Sequence, residues 1–297
     1  MTTTAIANTT SRQISDPSVS FSNAITRAAH GLTLPEKRIV MLSVAKLDSM
    51  KPFVPGESPT VRVTAKEYAE MYDLDLNTAY DQLIIATKEL FERKITFFSQ
   101  SKNGTGTPKL RAAVRWVGGY KYQEGEGWAE LGFWHEVVPY LMDLSAHFTT
   151  YKLKHASNLK SVYSWRLLEI FSQYKKNHWI ELTIAEFCHA MNATDKMATD
   201  FNYIRRKIID PAATELQDDN GWIINWKTIK KGRKVTGLRF DYLLPHESNI
   251  QKRGYTSDET IENADVKKPM KQIKSKKPKA VNNVKPVELG ITFDLFS

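Results

Sequence analysis

Two four-residue stretches constrain the fold of this chain more than any other feature: Thr64-Ala-Lys-Glu67 and Thr183-Ile-Ala-Glu186. In each, the hydroxyl can accept from the third amide of a starting helix while the glutamate returns to the first, a reciprocal arrangement that fixes where a helix begins. Each box follows a short strand-like run, VRV in one case and IEL in the other, so both mark a direct passage from strand to helix. The boxes stand 119 residues apart, and their surroundings repeat in order.

In the first half a helical pattern begins near Thr33, with Pro35 in its first turn and Ile39, Leu42, Val44, Ala45 and Leu47 following. The three prolines of MKPFVPGESPT make a loop, VRVT a strand, and the boxed helix carries Tyr68, Ala69, Met71 and Tyr72. A further helix over about Asn77 to Glu92 turns Tyr80, Leu83, Ile84, Thr87, Leu90 and Phe91 inward. Alternating ITFF, the turn SKNGTGTP, a strand over LRAAVRWV and another around WAELGFW are expected to form one small sheet.

The second half runs in parallel. SVYSWRLLEIFSQYKK lines up Tyr163, Leu167, Ile170, Phe171 and Tyr174 on one side, and Glu169, opposite, is expected to face water. A strand, the boxed helix with Phe187, Cys188, Ala190 and Met191, and a helix over 201 to 217 follow, then strand, basic turn and strand in GWIINWKTIKKGRKVTGLRFDYLL. Leu83 and Ile204 sit at matching places in the two halves. Helix, strand, two helices and hairpin is the order of a winged helix-turn-helix, here taken twice; two unrelated α+β modules sharing helix-start chemistry would be the plainer account. The fold class is α+β: tandem winged helix-turn-helix domains with a disordered basic C-terminal tail. The boundaries read as a flexible segment over 1–18, a first domain over 19–144, a second over 145–245 and the tail over 246–297.

Charge indicates what such a fold would meet. Lys and Arg exceed Asp and Glu to give a net +9 and a pI near 9.3, which favours a polyanionic partner once the charge is localised. It is localised in FNYIRRKIIDP. On a wheel of 100° per residue Phe201, Ile204, Ile208 and Ala212 fall together, while Thr199, Asn202, Tyr203, Arg206 and Lys207 point away. That outward set suits base edges: Arg206 for guanine, Asn202 for adenine, Lys207 and Tyr203 for bases or phosphates. Arg205, at the edge of the apolar sector, can run its stem along the core and offer its head to a phosphate. Pro211 makes the helix kink or restart there, ending the face near Ile209.

Lys230, Lys231, Arg233 and Lys234 surround Gly232 at the hairpin tip, where a wing would track the phosphate backbone. A basic solvated face and a solubility-promoting hairpin are the bland readings of each feature alone. In the first half the equivalent helix shows Thr78, Asp81, Gln82, Ile85, Lys88 and Glu89 outward, so that domain is the weaker reader and a candidate partner surface; Arg93, Lys94, Lys102 and Lys109 remain candidates for backbone contact.

Enzyme signals are thin. GxxxxGK[ST], HExxH and CxxC are absent, and the seven histidines form no close ligand set, so no catalytic residue, metal or cofactor is expected. His147 near Tyr151 is the one pair that raises DNA nicking. Cys188 reads as a small buried hydrophobe, and the seven tryptophans as core. The N-terminus lacks a secretory pattern and no run approaches a bilayer span, so a cytoplasmic location with no membrane partner is expected. Residues 267–285 hold eight lysines and no acid, and then ITFDLFS turns apolar, as a docking peptide on a tether would.

Taken together, SNAITRAAHGLTLPEKRIVMLSVAKL, YAEMYDLDLNTAYDQLIIATKELFERKITFF, FTTYKLKHASNLKSVYSWRLLEIFSQYKKNHWIELTIAEF and DFNYIRRKIIDPAATEL resemble the iteron-type plasmid replication initiators, over roughly residues 18 to 245. The resemblance implies a plasmid-encoded, non-enzymatic protein that binds direct repeats at an origin as a monomer, promotes opening of adjacent DNA, and recruits host initiator, helicase and other replication proteins. It also implies a dimer that represses its own promoter at an inverted repeat. The second domain would be the main reader, through residues like Arg205, Arg206 and Lys207, and the first would give backbone contacts and dimer surface. Thr292, Phe293, Asp294, Leu295 and Phe296 look like the peptide by which bacterial proteins dock on the sliding clamp, with Thr292 where a glutamine is usual. A dimeric regulator without an origin role, and a nicking or relaxase-type enzyme, are the alternative readings.

Overall fold

The computed structural model describes residues 16–98, 111–193 and 200–245. The chain opens with β1 (Ser18–Ser22), α1 (Asn23–Arg27), β2 (Ala29–His30) and α2 (Leu34–Lys46). Then come β3 (Thr60–Thr64), α3 (Ala65–Tyr72), α4 (Leu76–Leu90) and four strands, β4 (Lys94–Phe98), β5 (Arg111–Arg115), β6 (Val117–Tyr122) and β7 (Trp128–Phe133). After β8 (Phe148–Lys152) and α5 (Lys154–Ser157) the second unit runs α6 (Val162–Gln173), β9 (Trp179–Thr183), α7 (Ile184–Ala190), α8 (Phe201–Ile204), a π-turn (Arg205–Ile209), α9 (Asp210–Asn220), β10 (Ile223–Lys231) and β11 (Lys234–Leu243).

Both expected capping boxes form. Thr64 Oγ1 accepts from the Glu67 amide at 3.1 Å and Glu67 returns to the Thr64 amide at 2.9 Å; Thr183 and Glu186 repeat this at 3.1 and 2.8 Å. A glutamate also reaches back at the start of α2, where Glu36 takes the Thr33 amide at 2.8 Å.

The duplication is most evident in the sheets. One orders its strands β3-β7-β6 and the other β9-β11-β10, so in both the strand that precedes the boxed helix lies beside the last strand of the hairpin. All pairings are antiparallel. The first half departs from the expected single sheet: ITFF pairs with RAAVR and with β2 in a separate three-stranded sheet, β2-β4-β5. This hairpin is inserted between the last helix and the wing strands of the first repeat. Residues 16–18, expected to be loose, are tied down: β1 pairs with β8, Leu153 donates to the Pro17 carbonyl at 2.9 Å, and Lys152 meets Asp16 at 3.0 Å.

Packing follows the periodicity in most places. Leu83, Thr87 and Leu90 of α4 are buried, and in the second repeat Phe171 stacks on Tyr242 at 4.1 Å and meets Phe240 and Trp222. Glu169 contradicts the expectation. It is 0 % exposed, because α6 buries both faces: Phe171 lies on the second sheet, while Arg166 and Glu169 face the first half of the chain. Of the tryptophans, Trp116, Trp165 and Trp222 are core, Trp128, Trp134 and Trp226 are half-buried, and Trp179 is 44 % exposed on the edge strand β9. There its indole carries the Arg239 guanidinium at 4.6 Å.

Candidate nucleic-acid interface

The helix expected to read bases is built in three pieces. Asp200 caps α8 by accepting from the Asn202 and Tyr203 amides, and Ile204 and Ile208 anchor the inner side. Between them the backbone widens into a π-turn over Arg205–Ile209 before α9 begins with Pro211 in its first turn. The proline therefore marks a restart, and the widening lets the adjacent Ile208 and Ile209 both be buried. Asn202, Arg205, Arg206 and Lys207 are all exposed, and Tyr203 is half-buried. Thr199 lies outside the described residues.

Of these cations Arg205 is committed elsewhere. Its Nε holds the Asp210 carboxylate at 3.1 Å, and its guanidinium lies 5.8 Å from the centre of Trp226 on β10. It pins the helix against the first wing strand instead of presenting a free head. Arg206 has one weak internal contact, Nε to the Asn202 carbonyl at 3.4 Å, so its guanidinium has donors to give.

The wing is a tight hairpin. Lys231 pairs with Lys234 across a two-residue turn, and Gly232 supplies the positive φ (63°) there. Lys230, Lys231, Arg233 and Lys234 are exposed. At the base of the hairpin Gly237 lets β9 approach: a Cβ there would lie 2.8 Å from the Leu182 carbonyl oxygen. The cationic helix meets this same hairpin at Trp226, through Arg205.

Lys160 lies near Arg206, although no linear pattern links the two. It shares a groove of about 640 Å³ with Arg206, Asp210, Pro211, Thr214, Glu215, Asp218 and Asp219. Four of its lining residues are acidic, so phosphate would be repelled from this groove.

In the first repeat Asp81, Ile85, Lys88 and Glu89 of α4 are exposed and Thr78 and Gln82 are partly covered, Ile85 being 57 % exposed. Arg93, a candidate for backbone contact, is part-exposed and grips Glu36 with Nε at 3.0 Å and Nη2 at 2.9 Å. Lys94 is exposed and lies near Arg115, its register partner. Lys102, Lys109 and the whole tail, Thr292, Phe293, Asp294, Leu295 and Phe296 included, lie outside the described residues.

Tyr151 is unsuited to nicking. Its hydroxyl is buried, accepts from the Trp165 indole at 2.8 Å and donates to Glu169 at 3.1 Å, and burial with the neighbouring carboxylate holds its pKa well above the ordinary value. Cys188 is likewise buried, its thiol pushed up to about 11. No helix among the described residues is long and apolar enough to cross a membrane.

Two sheets of like order, two capped helix pairs and a cationic helix beside a basic hairpin define the class: a tandem winged-helix DNA-binding protein. The family follows from the sequence as a whole. Residues 18–172 match the model for the first winged helix (WH1) of the initiator replication proteins, and residues 183–242 match that for the second (WH2); the chain belongs to this family. Among similar proteins are the PI protein of Escherichia coli, 24 % identical over 256 residues (76 % of this chain, 82 % of that protein), and an Escherichia coli replication initiation protein, 25 % identical over 235 residues (77 % and 70 %). The fold is shared with the Pi initiator protein in its crystal structure with iteron DNA, at TM-score 0.63 and 22 % identity, over 77 % of this chain and 97 % of that one.

Proposed function

We propose that this protein initiates plasmid replication by binding directly repeated DNA at the origin, and that it acts in the cytoplasm without catalysing a reaction itself. The observation that carries the reading is the exposed set Asn202, Arg206 and Lys207 on a helix whose Arg205 lies against Trp226 of the wing strand β10, with an exposed basic tip at Lys230–Lys234 of the same hairpin, in a member of the initiator family. Arg206, Asn202 and Lys207, with Tyr203 and Thr199, read base edges in the major groove, and the wing cations hold phosphates. Lys94, Lys102 and Lys109 add backbone contacts from the first domain, whose acidic and apolar α4 face serves a partner. As a dimer the protein represses its own promoter; as an origin-bound monomer it promotes opening and recruits host initiator and helicase. The segment Thr292–Phe296 docks on the sliding clamp.

Footprinting the purified protein over the DNA upstream of its gene tests this directly. Several protected direct repeats are the expected result, together with one inverted repeat over the promoter. A lone palindrome would leave a regulator with no origin role, and no protection at all would remove the proposal. For the terminal peptide, unchanged clamp affinity after deletion of 291–297 would remove that part alone.

A further inference from the structure

The π-turn that carries Arg205, Arg206 and Lys207 also decides how they are partnered. Along a regular α-helix a residue four places on lies on the same face, and an arginine can pair there with an acid. Arg206 and Asp210 have this spacing. Residues five apart, such as Arg205 and Asp210, would stand about 140° apart around the axis of a regular helix. The structure shows the opposite pairing. Arg205 Nε holds Asp210 Oδ2 at 3.1 Å, whereas Arg206 keeps only its 3.4 Å contact to the Asn202 carbonyl.

The widened turn is the cause. The Asp210 amide donates to the Arg205 carbonyl, an i→i+5 bond that sets residue 210 over residue 205 instead of over 206. The two residues are thus joined twice, through the backbone and through their side chains. A third contact comes from the wing strand, where the Arg205 guanidinium lies 5.8 Å from the centre of the Trp226 ring, within cation–π range. The Arg205 and Asp210 side chains are 55 % and 40 % exposed, so neither belongs to the core. Ile204, Ile208, Ile209 and Ala212 anchor the helix without them. Asp210 lines the same groove as Arg206. Glu215, another acid of that groove, is already engaged: it accepts from the Lys160 amide at 2.6 Å and from the Ser164 hydroxyl. Turns of this width are uncommon and recur at functional sites.

We propose that Arg205 is a positioning residue for base reading: it takes Asp210 across the π-turn, rests on Trp226, and thereby keeps that carboxylate from capturing Arg206. It makes no phosphate contact of its own. This rests on the reading of the protein as an origin-DNA binder. Asp210 is the competitor, since an arginine paired with an acid has fewer donors left for a guanine edge and brings less net charge to the duplex.

The test measures binding of the full chain, by fluorescence anisotropy over a range of salt, to a footprinted site, to the single-base variant whose discrimination Arg206→Ala abolishes, and to random duplex. Arg205→Gln should lower discrimination at that base pair roughly threefold to fivefold, the shift an exposed ion pair produces near its upper range, with the slope of log affinity against log salt unchanged. Asp210→Asn alone should keep wild-type discrimination. Arg205→Gln combined with Asp210→Asn should restore it, because the competitor is gone. Removing an acid strengthens binding to every sequence alike, so recovery of a ratio at one base pair separates the positioning role from general electrostatics and from loss of fold. Unchanged discrimination in Arg205→Gln would overturn the proposal. So would uniform weakening on all sequences with a slope reduced by about one, which marks a phosphate contact. A loss that Asp210→Asn fails to rescue would overturn it too, as would a loss caused by Asp210→Asn alone, a change outside the core. A wild type with no preference for any site over random DNA would sink the origin-binding reading itself, and this inference with it.

Discussion

Replacing Arg166 with methionine removes the guanidinium and keeps most of the side-chain volume. The structure sets the cost. Glu169 keeps Lys37, so the carboxylate is not stranded, but the carbonyls of Thr26, Ala28 and Ala190 lose their donor inside a junction that excludes solvent. Breaking one side of a buried ion pair typically costs about 3–5 kcal/mol, and each orphaned buried acceptor about 1–3 kcal/mol. These overlap, and the methionine recovers some apolar burial, so a net loss of about 4 kcal/mol is expected. For a folded region of this size that corresponds to a fall in Tm of roughly 8–16 °C. Thermal unfolding followed by circular dichroism and by tryptophan fluorescence measures it; Trp165, buried beside the junction, reports locally. A midpoint within about 3 °C of wild type would refute the reasoning, because it would mean that these bonds carry no net free energy. Lys37→Met is the internal control: it leaves Arg166 and Glu169 as a neutral pair and should cost less than about 1 kcal/mol.

Lys37 also gives a pH dependence. Burial, opposed by Glu169 and reinforced by Arg166, lowers its ammonium from the ordinary 10.5 to about 8, so between those values the unfolded chain binds more protons and stability should rise with pH, by about 1 kcal/mol from about pH 7.5 to 9; chemical denaturation at the two pH values should show this gain in wild type and not in Lys37→Met. Arg206→Ala should cost about 1–3 kcal/mol of discrimination at one base position, read by competition with single-base variants of the site. Lys231→Ala should weaken binding to all sequences alike and reduce the slope of log affinity against log salt by about one; identical behaviour of these two variants toward specific and random DNA would overturn the division into helix and wing. Thr183→Ala should lower stability by about 1 kcal/mol in denaturant titration through loss of the helix cap.

What could be read from the linear chain was whatever depends on local chemistry. The two Thr-x-x-Glu boxes each fix a helix start within four residues, and the inner stripe of α4 follows from spacing alone, because that helix buries one side. Glu169 was misjudged because a helical wheel assumes a single buried face, whereas α6 has a neighbour on each side. The pairing of Arg93 with Glu36 could not be read from the chain, because Glu36 lies 57 residues earlier, at the start of another helix. The separate β2-β4-β5 sheet was hidden since one strand run looks like another until its pairing is known. On the candidate DNA face, exposure of Asn202, Arg206 and Lys207 was legible; the anchoring of Arg205 on Asp210 and the nearness of Lys160 to Arg206 required the third dimension.

The widened turn at Arg205–Ile209 has a consequence for how such a surface can change. A helix of strictly regular pitch that gains or loses a residue rotates everything beyond it by about 100°, which would drag Ala212 and Leu216 out of the core. An i→i+5 loop can absorb that residue locally, and here the loop itself carries Arg205, Arg206 and Lys207. Length variation at this point would re-aim the cationic side chains while the apolar anchors stay seated, so recognition could drift toward a new sequence without the domain first having to be repacked.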